Sequence, residues 1–342
     1  NVSVTSDMPR NATARISPNP ADLDRAAAML DAAETPLIVA QRGGGAPDAA
    51  AFRALGEFAE RYGIPVVEMS PTRLSISGQS SMHAGFNVAP EIGGADLVLV
   101  LDTIVPWMPH RDTLKPGAKV IQCGADPYHL RTPVRDFPAD VALTGQIADI
   151  IAGLSPRMSA RDRTPRIAEV TARLASRREQ ALASPAASSA PAHRLDRQSV
   201  SHALARLVGD TGTIFSELGA DAKSMHLPGH DQFFQNPIAG GLGWSLPAAL
   251  GFQLADRERL VVATMGEGGY MFANPVACHQ VAEALKLPVL TVVFNNGVWR
   301  AVESTSLAIY PDSYAARANT VPLTSLEPVP DLCKVAEASR AW

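Results

Sequence analysis

Two short stretches of this chain carry residue types that could hold a charged ligand. One is Gly266-Glu267-Gly268-Gly269, and the other is Asn295-Asn296-Gly297-Val298. A carboxylate from Glu267, an amide oxygen from Asn296 and a nearby backbone carbonyl make a hard, all-oxygen donor set. Mg²⁺ takes such ligands and completes its octahedron with waters and phosphate oxygens. Gly268 and Gly269 leave room for backbone N–H groups to approach a phosphate closely. The chemistry this spells is a diphosphate held through Mg²⁺. The plainer alternative is a polar turn and, separately, an ordinary Asn-Asn-Gly turn.

The elements around these residues bring them together. The apolar run 260–265 suits a buried parallel strand. A helix is expected over 274–287, with Asn274 as N-cap and Pro275 at the first helical position. Pro288 breaks it, and the β-branched run 289–294 is a second strand ending at Asn295-Asn296. Such a β-α-β unit places two parallel strands with their C-terminal ends on one edge, where open α/β sheets bind ligands.

At 342 residues the chain is long enough for two domains, and 46% hydrophobic residues can fill their cores. A net charge of −4 gives no electrostatic case for nucleic acid or an anionic membrane. No apolar run approaches a transmembrane length and no secretory signal leads the sequence. Cys123, Cys278 and Cys333 show no metal-ligand spacing and read as buried free thiols of a reducing cytoplasm. The start at Asn1 and the stop at Trp342 read as a chain with something missing at both ends.

Strands expected at 36–40, 65–67, 97–101, 119–122 and 140–143 alternate with helices starting at Pro20 (capped by Asn19) and covering 48–62. This alternation predicts an α/β fold of two doubly wound domains with mainly parallel sheets. The first spans 1–155 and the second 196–342. Residues 156–195 read as a mobile interdomain linker, with a charged part, 157–180, that is also open to a helical reading and a part, 181–193, rich in Ala, Ser and Pro. The run Gly43-Gly44-Gly45 lacks the G-x-G-x-x-G spacing, so neither FAD nor a nucleotide-dependent dehydrogenase is expected.

Taken together, the acidic glycine turn, the helix and the strand ending in Asn-Asn resemble the cofactor motif of thiamine-diphosphate-dependent enzymes. The stretch Gly240-Gly241-Leu242-Gly243-Trp244-Ser245 and its continuation to Arg259 are similar to the glycine-rich stretch of the same family, particularly benzoylformate decarboxylases and acetolactate synthases. The resemblance covers nearly the whole chain as a central and a diphosphate-binding domain. It implies Mg²⁺ ligation by Glu267, Asn296 and the Val298 carbonyl. It also implies diphosphate contacts around Gly266, Gly268 and Gly269, with Ser216 and Glu217 near the diphosphate. Gly240 would accept from the aminopyrimidine amine beside Gly241, and Leu242 would prop the bent cofactor. Lys223 is either a phosphate counter-charge or an exposed lysine, and Trp299 lines the substrate entrance or simply packs.

The implied activity is decarboxylation or carboligation of a 2-oxo acid. His110, on a loop after a strand, is a candidate proton shuttle or a solvated histidine, whereas His83 reads as structural. One departure stands out, because the family carries Asp where this chain has Glu267. Glutamate is one methylene longer, and Mg²⁺ demands near-ideal geometry at roughly 2.0–2.1 Å. The turn must retract, the carboxylate must fold back, or metal binding weakens. The family's pyrimidine-binding domain, with its activating glutamate, is expected from the same longer protein or a partner chain. The cofactor then lies between subunits of a homodimer or homotetramer. The rival reading is a non-catalytic subunit or scaffold of the same fold.

Overall fold

The computed structural model describes residues 16–43, 49–133, 137–183, 195–236, 240–318 and 323–341. The expected cap at Asn19 forms, its side chain accepting from the Ala21 amide at 2.9 Å. It opens α1 (Pro20–Ala32), which is followed by β1 (Pro36–Ala40), α2 (Ala50–Tyr62) and β2 (Val66–Glu68). Then come α3 (Ala89–Ile92), β3 (Leu97–Leu101), β4 (Lys119–Gly124), β5 (Val141–Thr144) and α4 (Ile147–Leu154). The five strands form one parallel sheet in the order β2-β1-β3-β4-β5. Every residue of β1 and β3 is buried, as expected of strands covered on both faces. Gly44, Gly45 and Asp48 lie outside the described residues.

The charged stretch expected to be linker is only partly one. Residues Thr164–Ala183 form α5, whose Val170 and Leu174 join the core of the first sheet. Arg173 holds both oxygens of the buried Glu91 at 2.8 Å, and Arg177 reaches the same carboxylate at 2.5 Å. The charges that suggested a solvated tether are the polar face of a packed amphipathic helix. The Ala-, Ser- and Pro-rich part, 184–194, lies outside the described residues.

The second half begins with α6 (Arg197–Val208), capped by Asp196 accepting from the Ser199 amide at 2.7 Å. It continues through β6 (Thr213–Glu217), β7 (Phe233–Gln235), α7 (Ser245–Ala255) and β8 (Val261–Gly266). Next are α8 (Glu267–Phe272), α9 (Pro275–Leu285), β9 (Val289–Phe294), α10 (Arg300–Ile309), α11 (Tyr314–Ala318) and α12 (Leu332–Ala338). Its parallel sheet runs β7-β6-β8-β9. Two local expectations need correction. The acidic glycine turn is itself the start of a short helix, α8, and Asn274 sits at φ 53° without a side-chain capping bond. The chain there breaks between two helices, so Asn274 serves as a left-handed corner, a conformation asparagine tolerates.

The two halves are joined directly. The Gly78 amide donates to the Leu227 carbonyl at 2.9 Å, and Arg73 Nε donates to Asp231 at 2.7 Å. Leu74 is buried in a cluster with Leu204, Ile214, Leu227 and Phe233. This junction fixes the loop after β6 against the segment after β2.

Candidate functional site

In the second sheet, Glu217 pairs in register with Met265, and Gly266 with Phe294. The C-terminal ends of β6, β8 and β9 therefore lie on one edge, and Glu217, Glu267 and Asn296 leave it together. Both carboxylates are buried, at 1% and 2% exposure. Neither forms an ion pair with a described residue. A buried carboxylate without a cation must be held by hydrogen bonds or must await one. The two acids resolve that need differently.

Glu217 is fully engaged. Its Oε1 accepts from the Gly243 amide at 2.7 Å, and its Oε2 accepts from Trp244 at 2.5 Å and Ser245 at 2.9 Å. These amides open α7, where the N-cap position is Trp244 and supplies no capping side chain. Glu217 is a cap delivered from another strand. The sequence held one signal for it: Gly-Leu-Gly-Trp starts a helix without Ser, Thr, Asp or Asn. Gly243 takes φ 87°, and a Cβ there would fall 2.6 Å from the backbone of Phe272 and Ala273. Glycine is required at that position on both counts. Neighbouring Leu242 is 45% exposed and Gly241 is exposed, so both face outward from a turn pinned to the sheet. Gly240 is half-buried, and 237–239 lie outside the described residues. Ser216 is buried, its hydroxyl donating to the Ala220 carbonyl at 2.7 Å.

Glu267 is half engaged. Its Oε1 accepts from the amides of Asn296 at 3.2 Å and Val298 at 3.0 Å. Its Oε2 has no hydrogen-bond partner among the described residues. The longer side chain thus folds onto the turn after β9 and ties the ends of β8 and β9 together. Asn296 is exposed, and its Oδ1 accepts from the Val298 amide at 3.1 Å. Among the described residues, no three His, Cys, Asp or Glu side chains gather as a metal cage. One carboxylate oxygen, an amide oxygen and backbone carbonyls instead leave most of a cation's shell to water and phosphate, the pattern Mg²⁺ accepts. The donor types suit a diphosphate-bound Mg²⁺, with the Val298 carbonyl accepting from the Arg300 amide at 2.7 Å and keeping its second lone pair.

Gly268 and Gly269 are buried at the head of α8, and each is crowded. A Cβ on Gly269 would meet Glu217 Oε1 at 2.7 Å, and one on Gly268 would meet Trp299 Nε1 at 2.7 Å. Gly266 is open by comparison. Behind α8, the Tyr270 hydroxyl and His279 Nε2 share a hydrogen bond at 2.7 Å. Burial pushes the tyrosine pKa up and that of the histidine down, so the pair is a neutral prop.

The remaining singled-out residues lie elsewhere. His110 is exposed on the loop after β3, and no described contact joins it to the edge of the second sheet. His83 is buried against Glu68, Nε2 to Oε2 at 3.1 Å, as its structural reading anticipates. Lys223 is exposed and pairs with Asp221 at 3.1 Å. Among the described residues, no helix is long and apolar enough to cross a membrane.

Comparison with known proteins bears on both halves. Residues 23–154 match the central domain of thiamine pyrophosphate enzymes, and residues 218–342 match their C-terminal TPP binding domain. A protein named as a probable 2-ketoarginine decarboxylase of Pseudomonas aeruginosa is 28% identical over 84% of this chain and 50% of its own length. An acetolactate synthase of Mycobacterium avium is 25% identical over 94% of this chain and 52% of its own. The chain thus spans about half the length of the curated relatives it matches. The crystal structure of benzoylformate decarboxylase from Polynucleobacter necessarius shares the fold, with a TM-score of 0.71 at 19% identity, over all of this chain and 62% of that one. With both matched segments in family order and a glycine-lined sheet edge whose donors suit a diphosphate, the chain belongs to the thiamine-diphosphate-dependent enzymes.

Proposed function

We propose that this chain supplies the central part (1–155) and the diphosphate- and Mg²⁺-binding part (196–342) of a decarboxylase or carboligase acting on a 2-oxo acid. The observation that carries this reading is Glu267. It is a buried carboxylate with no counter-ion among the described residues, one oxygen fixing the turn after β9 and the other unpartnered beside Asn296. Glu267, Asn296 and the Val298 carbonyl hold the metal in this reading. The backbone of 266–269 would hold the diphosphate, while Ser216 and Glu217 would act on it indirectly by fixing the neighbouring turns.

Thiamine diphosphate, when bound, supplies the electron sink that 2-oxo acid cleavage requires. The residues of this chain orient and dehydrate. Leu242, exposed on a turn anchored through Gly243 to Glu217, would support the cofactor, and the Gly240 carbonyl would be available to accept from its amine. His110, exposed on the loop after β3, is the proton carrier proposed for the substrate, a role that requires the assembled protein to bring that loop to a site. The activating glutamate comes from a pyrimidine-binding domain of the same longer protein or of a partner chain, in a homo-oligomer. Family membership alongside relatives named as a decarboxylase and a synthase favours catalysis over a non-catalytic scaffold.

The test is calorimetric titration of the longest natural form with thiamine diphosphate, with and without Mg²⁺, beside Glu267→Ala and Glu267→Asp. Binding that needs Mg²⁺, disappears in the alanine variant and persists in the aspartate variant supports the assignment. Equal binding by wild type and Glu267→Ala would remove Glu267 from the metal site. No binding in any form would end the cofactor assignment for this edge.

A further inference from the structure

Trp299 forms the N-terminal boundary of α10, and its backbone is fixed on both sides. Its amide donates to the Thr324 carbonyl at 2.8 Å, and its carbonyl accepts from the Glu303 amide at 3.0 Å. The ring reaches back over the head of α8, its centroid 6.3 Å from that of Phe272. Its leading edge rests on Gly268: a Cβ placed there would lie 2.7 Å from Nε1 and 2.8 Å from Cδ1. Nε1 is shut off from solvent yet has no acceptor among the described residues. An indole N–H can only donate, and a buried donor is nearly always paired. A donor left open this way, pressed onto a glycine, marks a place where an acceptor is missing from the protein alone.

We propose that the Trp299 indole N–H is a direct donor to a phosphate oxygen of the bound diphosphate, an inference that rests on the diphosphate reading of this same edge. Among the protein's own acceptors there, Glu267 Oε2 is left open but makes no hydrogen bond to the indole, and the others are engaged. Glu267 Oε1 already takes two amides, and Asn296 Oδ1 takes one. Nε1 is closed to a water-sized probe, so an anionic oxygen over the Gly268–Gly269 backbone reaches the N–H only with a small shift of the ring or of the turn beneath it. Gly268 is then glycine for a second reason, since any side chain would push the donor off the turn. Trp299 is a binding residue for the cofactor's anionic end and takes no part in proton transfer.

The experiment compares wild type with Trp299→Phe, which keeps a ring and removes the donor. Both are titrated in the longest natural form with thiamine diphosphate and with inorganic pyrophosphate, each in Mg²⁺. The expected result is a loss of about tenfold in affinity for both ligands, the size of one hydrogen bond to a charged acceptor. The unliganded melting temperature should be unchanged or slightly higher, because an unpaired donor is gone. Affinities within twofold of wild type for both ligands overturn the proposal, as does a loss confined to thiamine diphosphate. Should Trp299→Phe melt early, β-(3-benzothienyl)alanine at position 299, which keeps the shape of the indole and lacks its N–H, must show the same paired loss. Trp299-dependent binding of pyrophosphate without binding of thiamine diphosphate would sink the cofactor reading and leave the donor standing. Binding of neither would sink both.

Discussion

The two sheets end in edges of the same topology and opposite character. At the first, between β1 and β3, Gln41 and Thr103 fill the crevice, and the charges beside them, Asp102 with Arg42 and Glu68 with His83, are partnered within the protein. Gln41 is 1% exposed, donating to the Met69 carbonyl at 3.1 Å and accepting from the Ile104 amide at 3.3 Å. The Thr103 hydroxyl donates to the Leu101 carbonyl at 2.8 Å. At the second edge, two buried carboxylates hold glycine turns in place, with one oxygen and one indole N–H left unpaired. Open α/β sheets expose backbone groups where neighbouring strands part. A protein can satisfy them with its own amides, giving a structural edge. Alternatively it can use anions that leave polar capacity over, giving a binding edge.

Several substitutions would break this contrast, and they differ in size. The largest effect is expected for Glu217→Ala, which strips three amides of α7 of their acceptor. A loss of about 3 kcal/mol or more in urea unfolding is expected, together with loss of cofactor binding. Retention of both would show that the cap is dispensable. Gln41→Ala should cost about 1–3 kcal/mol, since it orphans buried backbone groups of the first edge, yet leave thiamine diphosphate affinity unchanged in calorimetry. A change in affinity there would mean the two edges are coupled.

A smaller, pH-dependent effect is expected behind α8. His279 is held below its ordinary value of 6.5 by burial, so the unfolded chain binds more protons than the folded one as pH falls under that value. The contribution is fully present above pH 6.5 and is lost on acidification. Melting temperatures between pH 7.5 and 5 should fall less steeply in His279→Gln than in wild type, and parallel curves would refute the assignment. The smallest structural effect belongs to His110→Ala. Being exposed, it should leave stability within about 0.5 kcal/mol of wild type, so any fall in turnover of a 2-oxo acid would report its chemistry.

Much of this architecture was legible in the sequence because it is local. Runs such as Leu97–Leu101 and Val289–Phe294 declare parallel strands by composition, and Asn19-Pro20 and Asp196 declare helix starts. Glu267 and Asn296 could be joined on paper because a single β-α-β unit separates them. The errors came where a residue's partner is distant. The charged stretch that could be helical was still assigned to the linker, because the counterpart of the polar face of α5, Glu91, lies far back in the chain. Glu217 read as a ligand-facing acid because the helix it caps begins after β7 and a glycine turn.

By itself, then, the sequence determined the strands, the helices and the presence of glycines and oxygen donors on one sheet edge. These follow from backbone preference and side-chain periodicity, which neighbours in the chain decide. Only the tertiary structure decided which oxygen of which carboxylate is already used. It also decided that Gly268 lies beneath an indole and that one edge is closed while the other has polar capacity to spare. Hydrogen-bond satisfaction depends on which groups meet in space, and that is set by packing between segments far apart in the chain.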